Sequence, residues 1–215
     1  MKRLLTLASL ALLASPAAAD PGADAAAPMA KMTRQMWKRP GLDKMTTVQQ
    51  VWTRTVAFDL PKPFVPSWRA QGPANYTVEY IPDGETSERW TRMITVSGTI
   101  AAGAARMGDA ALASAVFGRP ACPGYVYRDL GPTARPPLGY RSLVIGCGAE
   151  GSPASERAVI AMFHDGQTMW TIQYAERGAL TAGFERQATA KLARLAPLLT
   201  CRKDDRSPAC TGAAR

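Results

Sequence analysis

The sequence predicts an α+β protein, an antiparallel β-sheet packed with two main helices as an α/β/α sandwich, behind an N-terminal signal peptide. Three observations carry that expectation. Short segments of period-two hydrophobicity are separated by Pro, Gly and Asp turn signals, two later stretches have helical period, and the opening segment has the build of an export signal. The 215 residues suit one compact domain. With 47% apolar and 20% charged residues, the composition argues against a wholly disordered chain and against a polytopic membrane protein.

Lys2 and Arg3 precede an apolar run from Leu4 to Leu13, and Ala17-Ala18-Ala19 supplies an A-x-A cleavage site before Asp20. Residues 1–19 therefore read as a signal peptide, and the destination as periplasmic or secreted. The run is too short to cross roughly 30 Å of hydrocarbon as a helix, so no transmembrane segment is expected in the mature chain. In an oxidising compartment the four cysteines, Cys122, Cys147, Cys201 and Cys210, read as two disulfides. Sequence alone leaves the connectivity open. We prefer Cys122 with Cys147, which flank one strand connection, and Cys201 with Cys210, which close a short tail loop. There is no C-x-x-C and His164 is the only histidine, so no metal is expected.

Along the mature chain, residues 20–30 (DPGADAAAPMA) are small and aperiodic and read as a flexible leader. Residues 31–44 read as a basic amphipathic segment. Met29, Met32, Met36 and Trp37 fall at helical spacing, with Lys31, Arg34, Lys38 and Arg39 elsewhere around the turn and Pro40-Gly41 as the stop. Such a helix either docks its Met and Trp onto the body, the reading preferred here, or offers its bases to an anionic membrane or a partner. Residues 45–201 form the single α+β domain of this reading, and 202–215 a polar tail tied by Cys210.

Within the domain, Trp52, Val56 and Phe58 share one face of a strand, and Pro61, Pro63 and Pro66 break regular structure up to Trp68. Tyr76, Val78 and Tyr80 alternate in a second strand, and a third follows the turn PDGE over Trp90 to Val96. Ala104 to Phe117 reads as a helix with Met107, Ala111, Leu112, Ala115 and Val116 on one stripe, ended by Gly118 and Pro120. Strands are expected at 124–129 and 139–147. A hairpin follows, in which Val159 to Phe163 run into Asp165-Gly166 and Trp170, Ile172 and Tyr174 return. The last helix begins near Thr181 and places Phe184, Ala188, Leu192 and Leu195 inward, with Pro197 as its stop. The predicted order is βββα then ββββα.

Around FDLP (58–61), EYIPDGETSERWTRMITV (79–96) and the closing hairpin plus helix, the chain resembles small secreted bacterial proteins of the Mog1/PsbP-like kind. The resemblance implies an α/β/α sandwich used as a binding or assembly module. It carries over no catalytic residue.

The residues themselves offer little for catalysis. His164, beside a turn, is the sole imidazole available to a nucleophile, and neither G-x-S-x-G nor S-x-x-K is present. No P-loop or G-x-G-x-x-G is present to cradle phosphates, and no cofactor is expected. Glu79, Asp83, Glu85 and Glu88 cluster about one turn. Asp83, Glu85 and Glu88 are candidate partner contacts, and the same acids support the alternative reading, a carboxylate-dependent hydrolase acting on an envelope substrate. The excess of 26 basic over 17 acidic residues is scattered without a long run, which suits an anionic envelope component better than nucleic acid. Trp52, Trp90 and Trp170 are assigned to the core and Trp68, in its Pro-rich loop, to the rim of a pocket. The function expected from the sequence is an exported, non-catalytic binding or assembly module of the bacterial envelope whose partner is an unknown envelope protein or anionic component.

Overall fold

The computed structural model describes residues 21–100, 107–120, 122–133, 140–149, 152–178, 183–195 and 198–202. In chain order these form α1 (Pro21–Trp37), β1 (Lys44–Val51), β2 (Arg54–Pro61), β3 (Phe64–Gln71), β4 (Asn75–Pro82), β5 (Arg92–Ile100), α2 (Asp109–Phe117), β6 (Val126–Thr133), β7 (Tyr140–Cys147), β8 (Glu156–His164), β9 (Thr168–Arg177), α3 (Phe184–Leu195) and β10 (Leu199–Arg202). The fold is α+β and dominated by sheet. The described strands form two antiparallel sheets where the sequence predicts one: seven strands in the order β3-β4-β5-β9-β8-β7-β6, and three in the order β1-β2-β10. None of the described helices is long and apolar enough to cross a membrane.

Alternation along β8 shows how the layers are built. Val159, Ala161 and Phe163 join a core shared with β2, α3 and the inner residues of β4, β5 and β9. Ala158, Ile160 and Met162 face the other way, onto Leu112 and Ala113 of α2. Helices therefore lie on both faces of the large sheet, and one face is shared with the second sheet. The β8–β9 hairpin turns where expected. Gly166 takes φ +93, and the Asp165 carboxylate accepts the backbone N–H groups of Gln167 and Thr168. α3 buries Phe184, Ala188, Leu192 and Leu195 as the spacing predicts.

Elsewhere the expectations need correcting. Residues 20–30 were expected to be a flexible leader, yet α1 starts at Pro21, because Ala-rich sequence with Pro at the first helical position favours helix. Trp52 does not share a strand face with Val56 and Phe58. It sits with Thr53 in the β1–β2 turn at φ +51, and Val51 pairs with Arg54. The Pro61–Trp68 segment is no loop: β3 begins at Phe64 and tolerates Pro66 because β3 is an edge strand, where a missing N–H breaks no ladder. Trp68 is thus a strand residue. On α2, Leu112 is buried but Met107, Ala111, Ala115 and Val116 are exposed, so the buried stripe is narrower than expected. β10 was not expected at all. The signal peptide, residues 104–106, Thr181, Pro197 and residues 203–215 of the polar tail, Cys210 among them, lie outside the described residues, while Arg202, read as the start of that tail, ends β10.

The two sheets are clamped at their hairpin tips. Arg54 beside the β1–β2 turn places Nη2 3.0 Å from Asp165 Oδ2 in the β8–β9 turn, with side chains only 8% and 12% exposed. Trp170 Nε1 donates to the same carboxylate at 3.0 Å. The Trp52 ring lies 6.1 Å from that of Trp170, and its Nε1 donates to the Gly72 carbonyl at 2.9 Å. Such contacts outweigh the cost of a bulky residue at positive φ, of order 1–3 kcal/mol.

Candidate functional site

α1 positions the residues singled out in the sequence. Its buried stripe is Gly22, Ala26, Ala30, Thr33 and Trp37, not the methionines. Met29 and Met36 are half-buried and Met32 is 62% exposed. Small residues let the helix approach β3 closely: a Cβ added to Gly22 would stand 1.9 Å from Trp68 Nε1. At the other end Trp37 is buried, its Nε1 donates to the Phe64 carbonyl at 2.8 Å, and Lys62 Nζ donates to the Trp37 carbonyl at 3.0 Å. Trp37 is therefore an anchor and not a free contact. Lys31 stands on the side of the helix opposite this stripe, Lys38 and Arg39 follow just past its end, and all three are exposed. No described carboxylate pairs with any of them.

The acidic turn lies beside the same helix. Arg34 Nε is 2.7 Å from Asp83 Oδ1, so one predicted base and one predicted acid neutralise each other. Glu85 accepts the Thr91 N–H at 2.7 Å and the Thr91 hydroxyl at 2.6 Å. Glu88 is exposed, and hydrogen bonds from the Thr86 side chain, its own backbone and Ser87 hold its carboxyl below the usual range. Its carbonyl accepts from Arg177, whose guanidinium lies 4.1 Å from the centre of the Trp90 ring.

Between helix and turn opens a groove of about 220 Å³. Ala23, Ala27, Ala30 and Arg34 form one wall, Val65, Pro66 and Ser67 the other, with Glu85, Thr86 and Ser87 at one end. This is below the roughly 300–1,000 Å³ of small-molecule sites. Trp68 does not line it. Glycoside hydrolysis needs one carboxylic acid kept protonated opposite a second carboxylate, whereas Glu85 is engaged by Thr91. Glu156, which burial pushes upward against the opposing pull of Arg177, is not among the lining residues. His164 stands at the end of β8, where Nδ1 accepts the Gly166 N–H at 3.2 Å.

Cys122 and Cys147 are joined as a disulfide that ties the segment before β6 to the end of β7. Cys201 is buried on β10, and no described cysteine is free. The docking of α1 makes a checkable demand. Gly22→Ala should push the Trp68 indole from its seat, with a shift in near-ultraviolet circular dichroism and a loss of about 1–3 kcal/mol, the usual cost of overpacking. An unchanged spectrum and melting temperature would show that the close approach is dispensable.

Together these features define an α+β domain whose first helix covers an edge strand, with Lys31 on its outer side and Lys38 and Arg39 just past its end exposed and unpaired among the described residues. The chain matches no family model and no curated protein.

Proposed function

We propose that this chain is an exported, non-catalytic binding or assembly module of the bacterial envelope, with the outward side of α1 as a contact surface for an anionic component. The observation that carries the binding reading is the division of labour at α1. Gly22, Ala26, Ala30, Thr33 and Trp37 fix the helix to β3, while exposed Lys31, and exposed Lys38 and Arg39 just past the helix end, stay free of described carboxylates. The Cys122–Cys147 disulfide supports export, as does the signal-like order of residues 1–19. Helices on both faces of an antiparallel sheet are compatible with the Mog1/PsbP-like sandwich.

The location is tested by fractionating cells that express the full chain and mapping its thiols without reduction. Export predicts an N-terminus at Asp20 and blocked Cys122 and Cys147. A cytosolic chain that retains Met1 and has reduced sulfurs would overturn it. Replacing both cysteines by Ser should lower stability by about 3 kcal/mol, judged by the length of chain they enclose. The contact surface is tested by pull-down from envelope extract. Capture should fall when Lys31, Lys38 and Arg39 are changed together to Gln, and should fade with salt, as exposed charges require.

A further inference from the structure

Among the described residues four strands end the two sheets, and three of them are blunted. β3 carries Pro66 and a register shift between Pro66 and Trp68, and α1 packs against it. β6 has a register shift between Asp129 and Gly131, followed by Pro132, and Gly131 takes φ +87. β10 is four residues long. These are the usual defences of an exposed edge. β1 has none of them. It runs for eight residues without Pro, in unbroken register with β2 from Lys44↔Pro61 to Val51↔Arg54. Among the described residues its only strand neighbour is β2.

The two-residue turn fixes which backbone groups are free. Val51 and Arg54 close it as a hydrogen-bonded pair, so the bonded pairs continue at Gln49↔Val56, Thr47↔Phe58 and Met45↔Leu60. Lys44, Thr46, Val48 and Gln50 then turn their N–H and C=O groups outward. Pro61 fits this phase, since it lies opposite Lys44 and has no N–H to give the ladder. The same four residues have exposed side chains, with Val48 51% exposed. The one charge among them, Lys44, is answered by Asp59 at 2.7 Å, so no bare lysine guards the edge.

We infer that β1 is an assembly edge that pairs antiparallel with β1 of a second copy, joining the two small sheets into one. The sequence is self-complementary in that arrangement. With Thr47 on the two-fold axis, Lys44 stands opposite Gln50 of the second copy and Thr46 opposite Val48, so no like charges face each other. The outward residues become the bonded pairs, giving about eight ladder hydrogen bonds. The pairing is also closed. One two-fold contact consumes both β1 edges, and the outer edge left on each side is the short β10. This deepens the assembly part of the proposed function but does not depend on compartment.

The test uses purified protein from Asp20 onward, which contains every described element, with mass followed against concentration by sedimentation. The expected result is a monomer–dimer equilibrium, with slowed amide exchange at Thr46, Val48 and Gln50 in the dimer. Val48→Pro removes an outward N–H while leaving the β1–β2 ladder intact, and should weaken the dimer at least about tenfold, since two ladder bonds are lost per pair. Because Pro can disturb the strand itself, Val48→Lys is the second variant. It keeps every backbone donor, places two ammonium groups near the axis, and should likewise give monomer with an unchanged melting temperature for the isolated chain. A wild-type chain that stays monomeric up to its solubility limit overturns the inference, as does a dimer indifferent to both variants. Either outcome leaves the export reading standing, whereas reduced thiols in the cytosol would remove export and leave this edge untouched.

Discussion

Asp165→Asn should destabilise the protein by about 3–5 kcal/mol, measured by urea unfolding, because it leaves the Arg54 guanidinium buried without its counter-charge. The carboxylate does three jobs at once. It accepts the Gln167 and Thr168 amides that close the β8–β9 turn, it receives the Trp170 indole N–H, and it meets Arg54 from the other sheet. Asn retains an oxygen for part of this but carries no charge. The control is Arg54→Met in the Asp165→Asn background. Removing the stranded cation should recover a good part of the loss, because a buried pair replaced on both sides by uncharged groups is often tolerated. If Asp165→Asn alone stayed within about 0.5 kcal/mol of the parent, the range of an ordinary surface change, the clamp would have no energetic meaning.

The same residue sets an acid limit. Burial by itself would raise the Asp165 carboxyl, but the hydrogen bonds from Thr168, Trp170 and Gln167, together with the Arg54 charge, bring it below the usual aspartate value. A carboxyl depressed in the folded state contributes stability that is fully present above its unfolded value near 3.9 and is lost as pH falls through the lower folded value. The parent should therefore lose stability as pH drops below about 4, while Asp165→Asn should show a shallower slope in that window. Equal slopes would mean that other carboxylates dominate acid unfolding.

What the sequence made legible follows from how local the signal is. The β8–β9 hairpin could be read because alternation and Asp165-Gly166 occupy one short stretch, and α3 because its large inward residues repeat at helical spacing. α1 misled because the residues it buries are Gly and Ala, which carry little hydrophobic signal, while the more conspicuous Met32 faces solvent. Pro66 looked like a strand breaker because nothing local says that β3 lies at an edge. The helical pattern sets Lys31, Arg34, Lys38 and Arg39 apart from the methionines and Trp37, but does not tell which of them stay exposed without a partner. That Arg34 would be spent on Asp83, and that Arg54 would reach Asp165, depends on contacts between segments far apart in the chain.

Gln49→Leu is expected to cost about 2–4 kcal/mol, although it replaces a polar residue in the interior with an apolar one of similar size. Gln49 is 9% exposed, between the small sheet and β4, and bridges two buried phenols: the Tyr76 hydroxyl donates to its Oε1, and its Nε2 donates to the Tyr80 hydroxyl. Tyr80 shares a further hydrogen bond with the Thr47 side chain, whereas the Tyr76 hydroxyl has Gln49 as its described acceptor. Burial pushes both phenols well above their ordinary range, so neither escapes by ionising. Leu therefore strands the Tyr76 hydroxyl in the core, and an unsatisfied buried donor costs more than the bond it formerly made. The sign reverses in a second step. Tyr76→Phe should destabilise the parent, since it orphans Gln49 Oε1, but should be neutral or stabilising in the Gln49→Leu protein, where it deletes the stranded hydroxyl. A double-mutant cycle by chemical denaturation reads this directly, and additive losses would show that Gln49 and Tyr76 do not stabilise each other.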